Sequence, residues 1–535
     1  MLKNLKKASL ITLSVLSGFV FTIFLAAAYI LGEINIPFLI LATIFFNIIM
    51  WLVGPSITDV MLRIFYHMKF YEYRDLHNNH PETAAFLEKV CKDNKIRFPR
   101  VGIIEDDNPT AFTYGSLPWN ARMIFSRGLF TYLKQDEREA VLAHEVGHIV
   151  HYDFVVITIA STFLQILYEF YVIFSTTKSP SARKRGNILY LFIAVMSYAF
   201  YVAGTYILMY LSRLREYYAD EFSAKTTGKP EVLSWSLVRI AYGIVAKKDD
   251  ERSHRLMEST RALGIIDVHS VKSLGLVANL SDSPEMICKV MAYDFISPWA
   301  FILELGSTHP LTGKRIERLN ELSLAMGKSG PFNIRNTVNS IPIDKVRLYH
   351  NFFLGLCISF LPQIGTAVGT FMAFVSGGSV GFVFLLLGAA MIIKAIYRFP
   401  NLAAEKTTIR ELMSDIYACP VRGKKVELSG KVVGRGDAGA VLGEDMMFED
   451  NGGLIYLDYN SNLSVLGNLF FALNKLKGLI GRSVMAEGWF FRGMGQYVSL
   501  DKINDQGSVI RSYPRLWDIV LGALFMLVGL VSILR

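Results

Sequence analysis

Long apolar stretches constrain the fold of this chain more than any other feature. Residues 9–31 contain no charged residue, and about 20 apolar residues are enough for an α-helix to cross a bilayer. Over all 535 residues, 52% are hydrophobic and the mean hydropathy is +0.35. These values exceed those of ordinary globular domains. The sequence therefore predicts a polytopic α-helical membrane protein.

We count about seven apolar segments that could span a membrane. They are residues 9–31, 37–54, 154–174, 187–211, 352–375, 380–397 and 516–534. Lysines within residues 3–7 place the N-terminus in the cytoplasm, because basic residues favour that side. The third and fourth segments leave two alternatives open. Either both cross fully and leave the basic residues 178–185 outside, or they form a hairpin that does not cross.

The sequence His144-Glu145-Val146-Gly147-His148 has the pattern H-E-x-x-H. Its flank, residues 135–143, consists of good helix formers with acidic residues in the first turn, which favours a helix. On a helix, positions i and i+4 lie on one face, so His144 and His148 can bind one metal ion. Zinc suits two imidazoles, and Glu145 would then lie beside the attacking water as its general base.

A third ligand distinguishes two designs of such sites. The metzincin pattern needs a glycine at position 151 and a histidine at position 154, but this chain has His151 and Phe154. The other design takes a glutamate from a second helix, often within E-x-x-x-D. Glu216 and Asp220 fit that pattern. We predict that Glu216 is the third ligand and that Asp220 accepts the second N–H of a zinc-bound histidine.

Three motifs together resemble the HtpX-like membrane zinc metalloproteases, which are relatives of the CAAX prenyl proteases. The motifs are H-E-V-G-H-I-V-H-Y-D at residues 144–153, S-R-L-R-E-Y-Y-A-D at 212–220, and T-H-P at 308–310 followed by Arg315-Ile316. The resemblance covers about residues 1–325, and the three motifs in this order are specific although each alone is not.

The resemblance implies a mainly helical, gluzincin-type protease domain with one zinc ion. His144, His148 and Glu216 would bind zinc, and Glu145 would be the catalytic base. Asp220 would contact a zinc-bound histidine without binding the metal itself. His309 and Arg315 match positions that lie near the site in the family, and either could stabilise the oxyanion.

Residues 108–115 precede the zinc motif and contain N-P-T-A-F-T-Y-G between two predicted strands. The same resemblance extends to its N-x-x-A-F part. This segment is either an exposed strand edge that holds an extended peptide by β-augmentation or an ordinary hairpin edge.

The predicted organisation has five parts. Residues 1–55 form two transmembrane helices, 56–350 the protease domain interrupted by the hairpin 154–211, 351–398 a helix pair, 399–513 a β-rich domain, and 514–535 a last helix. The β-rich domain alternates polar and apolar residues, as in 425–434. We predict a small OB-like β-barrel with an inserted helix near 464–478.

The net charge of +9 suits loops that face an anionic cytoplasmic leaflet. Nucleic acid is not expected as a partner, because the basic residues are scattered and no recognition module is present. The four cysteines are far apart and contain no C-x-x-C, so a disulfide framework is not expected.

The sequence thus predicts a multi-pass zinc endopeptidase of the cell membrane with its site facing the cytoplasm. The resemblance implies misfolded or damaged membrane proteins as substrates. One alternative is a CAAX-type or regulatory protease with a narrow substrate. The other is a non-catalytic membrane scaffold whose β-domain recruits partners. The intact H-E-x-x-H and E-x-x-x-D patterns argue against the scaffold.

Overall fold

The computed structural model describes residues 19, 22–23, 36–176, 184–246, 284–376, 379–435, 443–493, 495–505 and 507–534. The first predicted span, residues 9–31, therefore lies almost entirely outside the described residues, as do the basic residues 178 and 183. The second predicted span lies within the helix α1 (Ile36–Tyr66), which continues past Pro55.

A four-stranded sheet follows α1, built from β1 (Lys69–Tyr71), β2 (Arg100–Ile104), β3 (Ala111–Tyr114) and β4 (Arg122–Ser126). The strand order is β1-β2-β4-β3, so β3 lies at one edge. Strands β2 and β4 are parallel, whereas β1 and β3 are antiparallel to their neighbours. The helices α2 (Tyr73–Asn79) and α3 (Pro81–Asp93) lie between β1 and β2.

A short helix α4 (Arg127–Tyr132) precedes α5 (Gln135–Val150), which carries the H-E-x-x-H motif. Two acidic residues in its first turn stabilise the start of α5. Glu137 accepts a hydrogen bond from the Lys134 backbone N–H (2.9 Å), and Asp136 adds a second acid to the first turn, which suits the positive helix end. The helix is buried against β3 and two later helices.

Helices α6 (Asp153–Thr176) and α7 (Lys184–Thr227) pack against each other. At 24 residues, α6 is about 36 Å long and α7 is longer still, so each is long enough to cross a bilayer. The sequence boundary at residue 211 falls inside α7, because the apolar stretch and the E-x-x-x-D motif form one continuous helix.

The remaining helices that the structure describes in the first half are each shorter than α6 and α7. They are α8 (Pro230–Ala246), α9 (Pro284–Met291), α10 (Tyr293–Ile296), α11 (Pro298–Leu305), α12 (Thr312–Ala325) and α13 (Ile334–Ser340). Helices α8 and α12 pack on each other and beside α5 and α7, closing the core around the motif helix.

Three further apolar helices pack together: α14 (Lys345–Val375), α15 (Gly381–Arg398) and, at the C-terminus, α19 (Leu516–Leu534). The contact between α15 and α19 is made of glycines. A Cβ atom at Gly388 would lie 2.3 Å from the Gly522 carbonyl oxygen, and one at Gly381 would lie 2.5 Å from that of Gly529. Such small-residue contacts are typical of helices that pack inside membranes.

Within the described part of the chain, five helices are long and apolar enough to cross a membrane. They are α6, α7 from residue 188 onward, α14, α15 and α19. The helices α14, α15 and α19 expose large apolar side chains, including Phe374 at 84% and Leu534 at 85%. The chain is therefore a multi-pass membrane protein, as its composition predicts.

The predicted β-rich domain is a closed barrel. After β5 (Glu405–Lys406) and α16 (Ile409–Ser414), its strands are β6 (Lys424–Arg435), β7 (Met446–Asp450), β8 (Gly453–Asp458), β9 (Ser483–Arg492), β10 (Gln496–Asp505) and β11 (Ser508–Arg511). Pairing runs β6-β7-β8-β10-β9 and returns to β6, with β8 and β10 parallel.

The predicted inserted helix lies between β8 and β9. It consists of α17 (Ser464–Phe470), a π-helical turn (Phe471–Lys475) and α18 (Leu476–Leu479). Phe471 and Leu476 pack into the barrel core, so the helix plugs one end of the barrel.

Arg492 joins the barrel to the first half of the chain. Its side chain is 2% exposed. It donates to the carbonyl oxygens of Met413 (2.5 Å) and Val290 (3.0 Å), and its guanidinium lies 3.8 Å from the centre of the Tyr293 ring. A planar cation with several donors suits such a joint, because it can bond two carbonyls while stacking on a ring.

We predict that Arg492→Lys loosens this joint, because lysine keeps the charge but cannot reproduce the planar fork. Losing one or two charge-assisted hydrogen bonds should lower the free energy of unfolding by about 2 to 4 kcal/mol. Thermal unfolding and limited proteolysis of the detergent-purified chain measure the effect. Arg482→Lys is the control, because Arg482 is 56% exposed. Equal unfolding midpoints for the two variants would contradict the prediction.

Candidate active site

The structure brings His144, His148 and Glu216 together although α5 and α7 are separated by a complete helix. The Nε2 atoms of the two histidines are 3.2 Å apart. Each lies 3.6 Å from a different carboxylate oxygen of Glu216. His144 and Glu216 are buried, and His148 is half-buried. The three side chains thus present one nitrogen or oxygen atom each to a common point.

These separations fit a tetrahedral zinc ion. With zinc–ligand bonds of about 2.0 to 2.2 Å and tetrahedral angles, two ligand atoms are about 3.3 to 3.6 Å apart. The Nε2–Nε2 distance of 3.2 Å is close to this value, and the Glu216 carboxylate faces both imidazoles with a different oxygen 3.6 Å from each. Two imidazoles and one carboxylate are also the ligand set that leaves a fourth position open in catalytic zinc sites.

The close approach of α5 and α7 depends on Gly147. A Cβ atom at this position would lie 3.2 Å from the Ala219 Cα atom and 3.3 Å from the Phe222 side chain. Ser223 strengthens the contact, because its hydroxyl donates to the Ala140 carbonyl oxygen at 2.6 Å. The glycine of H-E-V-G-H therefore lets Glu216 come within reach of both histidines.

A carboxylate lies behind each histidine. The Nδ1 atom of His144 is 2.9 Å from Asp220, and that of His148 is 2.5 Å from Asp153. A carboxylate in this position fixes the ring orientation and the tautomer, so that Nε2 is free to bind metal. Asp153 is itself paired with the buried Arg215. The raised pKa of His148, about 9, follows because the hydrogen bond and charge of Asp153 outweigh the effect of burial.

Arg315 balances the negative charge on the α7 side of the site. Its side chain is 1% exposed and donates from Nε (2.9 Å) and Nη2 (2.6 Å) to Asp220. Its Nη1 atom lies 3.3 Å from Glu216. Three nitrogens of one guanidinium thus face two carboxylates, which is the geometry that arginine provides and lysine does not. Asp220 and Glu216 raise the pKa of Arg315 further.

Glu145 is fully buried and faces the edge strand β3. It accepts a hydrogen bond from the Thr113 hydroxyl at 2.8 Å. Its other oxygen, Oε1, is buried without a hydrogen-bond partner among the described residues. Burial raises the pKa of Glu145 above its usual range. A carboxylate with one free oxygen and a raised pKa is suited to accept a proton near neutral pH.

His309 lies on the opposite side of Glu216, with Nδ1 3.3 Å from Glu216 Oε2. Its Nε2 atom is buried and has no hydrogen-bond partner in the part of the chain that the structure describes. Arg213 holds the loop that carries His309, because it donates to the carbonyl oxygens of Glu304 and Ser307, each at 2.6 Å.

The matches to known proteins agree with this geometry. The profile of Peptidase family M48 matches residues 76–323. A protein named Protease HtpX homolog from Pyrococcus furiosus is 31% identical over 252 residues, which cover 46% of this chain and 75% of the relative. The chain belongs to peptidase family M48.

Other relatives give the same result. The Protease HtpX homolog of Methanothermobacter thermautotrophicus is 28% identical and covered to 86%, and that of Aeropyrum pernix is 30% identical and covered to 84%. The crystal structure of S. mikatae Ste24p matches with a TM-score of 0.32 and 17% identity, over 60% of this chain and 66% of that one.

The family and the apolar helices together make this chain a membrane-associated zinc metalloprotease. The predicted resemblance is confirmed, and the scaffold alternative is set aside. The M48 match ends at residue 323, so the helices α14, α15 and α19 and the barrel lie beyond it.

All of the sequence-predicted site residues lie together in this M48 site, whereas four supporting residues were missed. Asp153, Arg213 and Arg215 lie inside the quoted motifs but received no role. Their signal in the sequence was a charged side chain within or next to a metal-binding motif. Thr113 gave no such signal, because its contact with Glu145 depends on how the sheet packs against α5.

We predict that Asp153→Asn weakens metal binding about 10- to 100-fold, the usual effect of losing a supporting carboxylate. The amide keeps the size of the side chain but removes the charge that orients His148 and pairs with Arg215. Competition against a chelator of known affinity measures the change in the purified chain. Glu82→Gln, an exposed acid on α3, is the control. If Asp153→Asn and the unmodified chain bound the metal with equal affinity, Asp153 would not support the site.

Proposed function

We propose that this chain hydrolyses peptide bonds with one zinc ion held by His144, His148 and Glu216. The observation that carries the proposal is the convergence of these three side chains at zinc-ligand separations, with Glu145 beside them. When bound, zinc supplies a Lewis acid that polarises the scissile carbonyl and lowers the pKa of water.

Glu145 is the proposed general base. Its free Oε1 atom can accept the proton of the attacking water, while Thr113 holds the other oxygen. The carboxylic acid formed in this step can then give the proton to the leaving amine. His144 and His148 stay in one orientation through their contacts with Asp220 and Asp153.

His309 is the proposed stabiliser of the oxyanion. Its Nε2 atom is buried and unpaired among the described residues, so it can donate to a developing charge without first breaking a hydrogen bond. Arg315 was an equal candidate from sequence, but three of its nitrogens face Asp220 and Glu216. We therefore propose that Arg315 positions the ligand Glu216 rather than contacting substrate.

The edge strand β3 is the proposed binding site for an extended substrate. Thr113, in the middle of this strand, contacts Glu145 directly, so a peptide paired along β3 would pass beside the catalytic residues. All four residues of β3 are buried in the free chain, which implies that neighbouring segments must make room for a substrate. Peptides and proteins are the substrate class.

Membrane proteins, including misfolded or damaged ones, are the substrates that we favour within that class. Helix α7 supports this choice. The part of α7 from Ile188 to Thr227 has 40 residues and is about 60 Å long. This is twice the thickness of the hydrocarbon core of a bilayer. One helix therefore both spans the membrane and carries Glu216 outside it. No observation specifically favours the narrower CAAX-type or regulatory alternative.

We further propose seven spans, an active site that faces the cytoplasm and the five-part organisation given above. The basic residues near the N-terminus support the orientation. For the barrel we propose an OB-like fold. The closed order β6-β7-β8-β10-β9, with one parallel pair and a helix between β8 and β9, supports this assignment.

The pair Glu145→Gln and Glu216→Gln tests the assignment of base and ligand. Glu145→Gln should retain its zinc and lose about a hundred- to ten-thousand-fold in activity, because only the proton acceptor is removed. Glu216→Gln should lose zinc, because an amide replaces a carboxylate ligand. The measurements are metal content of the detergent-purified chain and cleavage of a denatured protein.

Glu139→Gln is the matched control, because Glu139 lies on the same helix outside the site. If Glu145→Gln lost its zinc while Glu216→Gln kept zinc and activity, both assignments would be wrong. If Glu145→Gln behaved like Glu139→Gln, Glu145 would have no catalytic role.

The proposed topology predicts which cysteines an impermeant maleimide reaches in intact cells. Cys357 is the exposed native cysteine and the other three are buried, so Cys357→Ser provides the background. Cysteines at Glu82 and Ser483 should react only after permeabilisation. A cysteine at Val380, which is exposed at the start of the sixth proposed span beside the outer turn, should react in intact cells. Labelling of position 82 or 483 in intact cells would overturn the orientation.

A further inference from the structure

A cavity of about 570 Å³ lies where the three C-terminal apolar helices meet the barrel. Its walls include Leu387, Met391, Lys394 and Arg398 of α15, Asp458 of β8 and Asp518 of α19. Helix α15 ends at Arg398 and α19 begins at Leu516. The cavity therefore lies at the level where these membrane helices end and the barrel begins.

The α15 wall changes from apolar to cationic along one helix face. Leu387, Met391, Lys394 and Arg398 follow each other at intervals of four, three and four residues, so they line up on one side. From Leu387 to Arg398 this face is about 16 Å long. Its apolar end lies within the span, and its cationic end lies beside the barrel. A phospholipid has the same order, from acyl chain to phosphate.

The two cations of this wall are held by neutral groups. Lys394 Nζ lies 3.3 Å from the Ser359 carbonyl oxygen. Arg398 donates to the Tyr497 hydroxyl at 2.7 Å and lies 4.6 Å from the centre of the Phe491 ring. Among the residues that the structure describes, neither cation has a carboxylate within ion-pair distance. Their charge is therefore available to an anion.

Two carboxylates on other elements also line the cavity, Asp458 of β8 and Asp518 of α19. Asp458 accepts hydrogen bonds from Ser499 (2.9 Å) and Asn460 (3.0 Å), both neutral donors. Asp518 is exposed at the rim. Within the described ranges, neither acid has a lysine or arginine within ion-pair distance, and Arg398 affects Asp458 only at longer range. The cavity thus offers positive and negative charge on separate walls.

We propose that this cavity binds a phospholipid with a zwitterionic headgroup that contains a primary amine, such as phosphatidylethanolamine. Its phosphate lies between Lys394 and Arg398, and its ammonium group lies between Asp458 and Asp518. The acyl chains follow Leu387 and Met391 into the bilayer. A primary ammonium donates hydrogen bonds to carboxylates, whereas the quaternary ammonium of choline cannot.

Native mass spectrometry of the full chain in detergent tests the proposal with phosphatidylethanolamine, phosphatidylcholine and phosphatidylglycerol in competition. The ethanolamine lipid should be retained in preference to both others. Asp518→Asn should remove the preference over phosphatidylcholine, with about a tenfold loss for one charge-assisted hydrogen bond. Lys394→Gln should weaken the binding of phosphatidylethanolamine and phosphatidylcholine equally, because both lipids carry the phosphate. Asp458→Asn repeats the carboxylate test at the half-buried position.

Lys477→Gln is the control, because Lys477 is an exposed lysine away from the cavity. Equal retention of ethanolamine and choline lipids by the unmodified chain would overturn the proposal. So would a preference for phosphatidylglycerol, which would indicate an anionic-lipid site. Displacement by soluble glycerophosphoethanolamine at similar concentration would show that the ligand is the free headgroup rather than the lipid. If Asp458→Asn fails to fold, Asp518→Asn still tests the proposal, because Asp518 is exposed at the rim of the cavity.

Discussion

One face-to-face packing of two helices supports the whole active site. Helix α7 contributes Arg213, Arg215, Glu216 and Asp220 within two turns, and each acts on a different part of the site. Arg213 holds the loop of His309, and Arg215 holds Asp153. Glu216 completes the group of possible metal ligands with His144 and His148. Asp220 contacts His144. Helices α5 and α7 pack closely at Gly147, where a Cβ atom would lie 3.2 Å from the Ala219 Cα atom, so a side chain at this position would crowd the contact.

All but one of the buried carboxylates of the site face an arginine. Arg315 faces Asp220 and Glu216, and Arg215 faces Asp153. An uncompensated buried charge costs several kcal/mol, so these pairs let the acids stay ionised inside the protein. The exception is Glu145, whose immediate partner is the neutral Thr113. Burial raises the pKa of Glu145, and this sets the residue that we propose as the general base apart from the acids that contact the histidines.

The sequence was sufficient for the residues whose chemistry follows a fixed spacing. The i and i+4 histidines, the E-x-x-x-D motif, the apolar helices and the strands of the barrel all follow from local periodicity. Contacts between distant elements could not be predicted in this way. Thr113 reaches Glu145 through the sheet edge, and Arg213 reaches residues 304 and 307 across more than 90 positions. Such contacts depend on packing angles, which no local pattern of residues encodes.

Local patterns were least informative where one helix serves two purposes. The sequence divides α7 at residue 211, because the apolar stretch ends there and the charged motif begins. Helix propensity does not change at that point, and the buried partners of Arg213 and Arg215 continue the packing without a break. The long apolar stretch and the segment that carries Glu216 therefore form one continuous helix.

The barrel is connected to this element through the first half of the chain. Arg492 stacks on Tyr293, and the neighbouring Asp294 accepts a hydrogen bond from the Gly313 backbone N–H at 3.0 Å. Gly313 lies in the first turn of α12, two residues before Arg315. A Cβ atom at Gly313 would lie 2.7 Å from Asp294, so the fit at this point is close. Arg315, which pairs with Asp220 and Glu216, thus lies near the start of α12. The N-terminus of this helix contacts Asp294, next to the contact between Tyr293 and Arg492 of the barrel. The β-domain is part of the support of the site as well as part of the membrane-proximal surface.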